Sequence, residues 1–141
     1  MRIMAIDYGD AHTGIAVSDP TGLLAGFTTV INAYRPDRVA EQIALLAKEH
    51  GAERLVLGHP INMDGTRGPR SEKAQAMRQL LEETTGLPVV LWDERRTTID
   101  AHQILMSSGK NAKKRKKVVD AVAASLILEG YLTYKKSHPA G

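Results

Sequence analysis

The sequence predicts a single α/β domain over residues 1–141, a five-stranded mixed sheet flanked by helices. Two observations lead there. The first thirty residues hold three apolar runs joined by short, turn-rich links, the pattern of an antiparallel meander. From Pro36 the apolar period lengthens to that of a helix, and helical and strand segments then alternate. A chain of 141 residues can bury one core but is too short for two.

Arg2 to Asp7, Thr13 to Ser18 and Leu24 to Ile31 are the three strand-like runs, punctuated by the turns Asp-Tyr-Gly-Asp and Asp-Pro-Thr-Gly. Val39, Ile43, Leu46 and Ala47 then recur at helical spacing, opened by Pro36-Asp37 and stopped by Gly51. Arg54 to Leu57 reads as a short buried strand. Residues 58–70, with three Gly and two Pro, read as the longest loop. A second helix is expected over Ser71–Thr85, a strand over Val89–Trp92, a third helix over about 98–107, and a last one over about 116–134. That last helix carries Val119, Val122, Ala123, Leu126 and Ile127 as its apolar face. The order is βββαβαβαα.

Composition narrows the functions. With no cysteine there is no disulfide, thiolate metal site or thiol nucleophile. No apolar stretch reaches the ~18 residues a membrane span needs, and Met1–Ile6 carries no signal-peptide pattern. A soluble, cytoplasmic protein without a membrane partner is expected. The net charge of +3 hides an asymmetry. Residues 1–109 hold 11 Lys/Arg against 14 Asp/Glu, whereas residues 110–141 hold 8 against 2. A basic segment on an acidic body suits a polyanionic ligand.

Three acids organise the chemistry. Asp7 ends the first strand, Glu94 follows the strand at 89–92, and Asp120 sits early in the last helix. Phosphodiester hydrolysis needs an activated water and charge neutralisation on the phosphate. Carboxylates converging from separate segments can hold Mg²⁺ or Mn²⁺, two ions in the usual arrangement, for that purpose. Singly, each acid has a plainer explanation: a turn residue, a surface ion pair with Arg95 or Arg96, or a charge opposed to the helix dipole. Asp10, Asp19 and Asp93 are expected in supporting positions. Gly9 and Gly14 would let the turn after Asp7 approach a phosphate or a bound water.

The motif Asp7-x-Gly9-x-x-His12-x-Gly14-Ile15-Ala16-Val17-Ser18-Asp19 resembles the opening of the YqgF (RuvX) family. The similarity continues through Gly58-x-Pro60-x-Asn62-x-x-Gly65, Trp92-Asp93-Glu94-Arg95-x-Thr97-Thr98 and Lys117-x-x-Asp120-x-x-Ala123-Ala124-x-x-Ile127-Leu128. The resemblance implies the ribonuclease H-like fold and a nuclease, described first as a Holliday junction resolvase and later as maturing the 5′ end of pre-16S ribosomal RNA. It also implies that Asp7, Glu94 and Asp120 are the metal-binding catalytic acids. Two positions depart from the family pattern: His12, where Arg is frequent, and His59, where Leu is usual. They bear on how the substrate phosphate is held, and His12 is expected near a phosphate.

Lys110, Lys113, Lys114, Arg115, Lys116 and Lys117 form a run of six cations in eight residues. It is expected to be a mobile loop that orders on a nucleic-acid backbone, contributing a salt-dependent term for each phosphate it neutralises. Arg67, Arg70 and Arg95 are further candidate contacts. RNA is favoured over DNA as substrate. The oligomeric state stays open between monomer and homodimer, and cutting a four-way DNA junction would demand the dimer. A non-catalytic nucleic-acid binder and a sugar-kinase-like nucleotide hydrolase are the competing classes. The intact acids argue against the first, and the single domain against the second.

Overall fold

The computed structural model describes residues 2–19, 25–59, 68–93 and 112–137, with the backbone alone at 25, 69, 70, 112–121, 136 and 137. Among these residues the elements are β1 (Arg2–Asp7), β2 (His12–Ser18), β3 (Ala25–Asn32), α1 (Pro36–His50), β4 (Ala52–His59), α2 (Pro69–Thr85), β5 (Val89–Asp93) and α3 (Ala112–Ser137). The expected helix at about 98–107 lies outside the described residues.

The strands order as β3-β2-β1-β4-β5. β1 pairs antiparallel with β2, and β2 with β3, because links this short can only reverse the chain. β4 lies parallel to β1, and β5 parallel to β4. A parallel return needs a crossover, and α1 and α2 supply it. Pro36 and Pro69 open those helices, where the missing N–H costs nothing. Gly51 and Gly86 close them in the left-handed conformation at φ 67° and 70°, as Cβ-bearing residues rarely can.

Both faces of the sheet are covered. Met4, Ile6, Ile15, Val17, Leu55 and Leu57 pack with Val39 and Ile43 of α1 and with Met77 and Leu81 of α2. On the other face Ile3, Ala5, Ala16, Val56 and Trp92 pack with Ala124, Ile127, Leu128, Tyr131 and Leu132 of α3. Alternation along each strand assigns the two faces, and double-sided burial explains the continuous apolar runs of β1 and β4.

α3 differs from the expectation in two ways. It begins at Ala112, so residues 112–117 of the basic run are helical and not loop. Ala, Lys and Arg are all good helix formers. The helix also turns a different stripe inward: Ala124, Ile127, Leu128, Tyr131 and Leu132 are buried, while Val122, Ala123 and Leu126 are half-buried. Trp92 sets that phase. Its ring meets Tyr131 edge-on at 5.9 Å and Tyr134 at 5.8 Å. A Cβ on Gly130 would come within 3.3 Å of the indole, so glycine permits the close approach. The Tyr131 hydroxyl accepts a 2.7 Å hydrogen bond from Arg54.

Candidate active site at the carboxyl rim of the sheet

Registers across the parallel strands align Ile6 with Leu57 and Leu57 with Leu91. The carboxyl ends of β1, β4 and β5 therefore form one rim. Asp7 is the last residue of β1, half-buried, and pairs in register with Gly14 of β2. It continues the alternation of Ile3 and Ala5 and so belongs to the α3 face. Asp93 ends β5 beside His59 of β4. It continues the alternation of Val89 and Leu91, which pack on the α1/α2 face, so the sheet separates it from Asp7. Glu94 is the next residue in the chain and lies outside the described residues. Asp120 falls within the backbone of α3, its side chain outside the description.

Among the described residues no three His, Asp or Glu side chains gather as a metal cage. Two of the three candidate acids have side chains beyond that description. Of the proposed donors, the described one is a carboxylate on the central strand, the hard oxygen donor that Mg²⁺ and Mn²⁺ select.

The turn after β1 is built by Gly9. A Cβ there would run into the His12 carbonyl, so the tight path requires glycine. His12 pairs across strands with Asn32 and its Nδ1 donates to Asn32 Oδ1 at 2.6 Å, which turns Nε2 into the atom left for a ligand. The adjoining turns are tied together by the Ala33 amide donating to the Ala11 carbonyl at 3.1 Å. Asp10 forms an exposed ion pair with Lys73 of α2 at 3.2 Å. The Tyr8 phenol is pushed above its ordinary pKa, chiefly by burial, with Lys73 opposing and Asp10 reinforcing the shift. It stays an O–H donor at neutral pH.

Asp19 does not join this rim. Because β2 runs antiparallel to β1, with Met4 opposite Val17, Asp19 lies at the amino end of β1, roughly 16 Å along the strand from Asp7 at ~3.3 Å per residue. His59 also departs from the expected role. It is buried at the end of β4 and bonds through Nε2 to the buried Ser71 Oγ at 2.6 Å, so it serves the packing of α2 on the sheet. Arg67, Arg95 and Lys110 lie outside the described residues, as do the side chains of Arg70, Lys113, Lys114, Arg115, Lys116 and Lys117.

Tyr34 and Lys73 went unnoticed in the sequence, although they stand beside this turn. Tyr34 is 80% exposed at the start of the β3–α1 link. An aromatic next to Arg35 and Pro36 in a turn was the available signal. Lys73 carried none, since only the tertiary fold sets it opposite Asp10.

The family model RuvX, described as a Holliday junction resolvase, matches residues 1–134. A protein of Halothermothrix orenii is 43% identical over 135 residues, covering 96% of each chain. One from Bacillus subtilis is 44% identical over 134 residues, 94% of this chain and 97% of that one. Both bear the name "Putative pre-16S rRNA nuclease". Among solved structures, Thermus thermophilus RuvC in complex with a Holliday junction substrate superposes with a TM-score of 0.63 at 15% identity, covering 95% of this chain and 96% of that one. The large terminase nuclease of phage G20c gives 0.55 at 12% identity, covering 92% and 80%. The shared architecture is the ribonuclease H-like fold.

Proposed function

Because this chain belongs to the RuvX family, we propose that it is a metal-dependent nuclease that hydrolyses phosphodiester bonds and processes the 5′ end of pre-16S ribosomal RNA in the cytoplasm. The observation that carries this reading is the position of Asp7: last on the central strand, on the α3 face, at the rim where β5 ends one residue before Glu94. Val90 and Trp92 face α3, and Glu94 follows Asp93 in the sequence. Asp120 lies in the backbone of α3, four positions before the buried Ala124. Three acids from β1, the end of β5 and α3 would then share one side of one rim.

Asp7, Glu94 and Asp120 are the residues that would hold Mg²⁺ or Mn²⁺. Divalent ions held there supply Lewis-acid neutralisation of the phosphate and lower the pKa of water. The chain itself does the positioning. β1 is flanked on both sides by paired strands, so the backbone that carries Asp7 is held in place before substrate arrives. Gly9 brings backbone close to the rim without a side chain in the way. His12 Nε2, oriented by Asn32, can donate to a phosphate oxygen when the imidazole is protonated. The cations at 113–117 draw the backbone of the strand toward α3 without reading its sequence.

The test is cleavage of a 5′-extended 16S precursor RNA and of a four-way DNA junction, each with Mn²⁺ and with EDTA. Wild-type protein should cut the RNA only with metal. Asp7→Asn should lower the rate by at least about a thousandfold while RNA binding persists; removing a single catalytic carboxylate from a metal-dependent nuclease has an effect on the order of that seen for other essential groups. An Asp7→Asn enzyme that cuts at the wild-type rate would remove this assignment. Preferential cutting of the junction, at paired sites on opposing strands, would favour the resolvase reading that the family description carries.

A further inference from the structure

On the opposite side of the rim from Asp7 lies a cleft of about 340 Å³, lined among others by Tyr8, Asp10, Tyr34, Pro36, Lys73 and Met77. Its walls come from three places: the turn after β1, the link between β3 and α1, and the side of α2 that carries Lys73, Met77 and Leu80. Met77 provides an apolar floor, 2% exposed. Tyr8 packs against the core on the α1/α2 face, and Tyr34 stands 80% exposed beside it as the largest uncovered aromatic of the described residues. The exposed Lys73–Asp10 pair sits at the mouth. The Ala33–Ala11 backbone bond holds the two turns together, so the cleft is preformed.

Such a composition has a definite ligand chemistry. Aromatic faces take any nucleobase by stacking, an ammonium meets a phosphate or a base acceptor, and a carboxylate accepts from a base N–H. Tyr8 directly follows Asp7, with Cα atoms about 3.8 Å apart, yet the two alternate to opposite faces of the sheet. A strand with a phosphate at Asp7 can pass a neighbouring nucleotide over the rim into this cleft only if that base is unpaired, because a duplex would keep it stacked inside. We infer that the Tyr8–Tyr34–Lys73–Asp10 cleft is a nucleotide subsite that captures one unpaired base of the substrate, so the enzyme selects single-stranded RNA next to the scissile bond. The direction of the strand in this inference rests on Asp7 carrying the chemistry.

Tyr34 is the residue to change, because its exposure makes its loss harmless to folding. Binding is measured by anisotropy with EDTA present, so no cleavage intervenes, using a single-stranded RNA oligonucleotide and a duplex of the same sequence. A parallel series carries 2-aminopurine at successive positions. Tyr34→Ala should weaken single-strand binding by about tenfold, the scale of one lost stacking contact. It should leave duplex binding within twofold and abolish the quenching of 2-aminopurine at one position. Tyr34→Phe should retain both affinity and quenching. Equal binding by Tyr34→Ala and wild type, or an equal loss on single strand and duplex, overturns the subsite. The nuclease reading fails separately, through an Asp7→Asn protein that still cuts, and the binding data decide the subsite whichever way that experiment falls.

Discussion

The bond between His59 and Ser71 joins the ends of segment 60–67, one at the close of β4 and the other in the first turn of α2. Both residues are buried, at 6% and 0% exposure, and the Gln75 amide reaches the same hydroxyl at only 3.4 Å. A buried hydroxyl that loses its main partner costs about 1–3 kcal/mol. His59→Leu, the residue usual in the family, should therefore lower the unfolding free energy by about 1–2 kcal/mol in urea titration. Ser71→Ala on top of it should recover part of that loss. Strict additivity of the two changes would show that the pair does not interact. The position also marks where residue-level legibility ended. Asp7 could be placed from a strand ending in a carboxylate. The burial of His59 could not, because its partner lies 12 positions away on a helix whose docking is a tertiary fact. Asp19 failed for the complementary reason: a motif contiguous in sequence is split by an antiparallel turn, which sends its two ends to opposite rims.

At the scale of elements, strands and amphipathic helices were legible wherever one periodicity dominated, as in β1, β2, β4 and α1. α3 was harder. It carries apolar residues on more than one face, so its phase is decided by what it meets, and Trp92 with Gly130 decides it. Its amino end also sets local forces in conflict. The first turn holds no acidic residue, and the cations at 113–117 add to the positive pole of the helix dipole instead of opposing it. A bound polyanion relieves both repulsions at once. Replacing Lys113, Lys114, Arg115, Lys116 and Lys117 by Gln keeps helix propensity nearly unchanged, so circular dichroism should hold steady. The dependence of log K on log salt for single-stranded RNA should flatten by about 0.7 for each of these residues that meets a phosphate. A slope identical to wild type would show that the run lies off the substrate path.

For the whole molecule, the fold and the site make opposite demands. In the proposed site, three carboxylates on one side of a rim would repel each other until cations arrive, so the metal-free protein should be less stable than its core alone would allow. The fold class was readable because a chain of this length and alternation has few alternative architectures. The proposed convergence of the acids rests instead on the parallel register of β1, β4 and β5, which no local signal sets. That convergence has a thermodynamic signature independent of turnover. A ligand that binds only the folded state stabilises it by about 2.7 kcal/mol at a hundredfold excess over Kd, which for a domain of this size is a rise in Tm of roughly 5–10 °C. Wild-type protein should show that rise with Mn²⁺. Asp7→Asn should melt at or above wild type without metal, since one repelling charge is gone, and should gain little from Mn²⁺. A variant that loses stability without metal and keeps the full Mn²⁺ shift would mean that Asp7 neither repels nor binds, and that the acids do not meet at this rim.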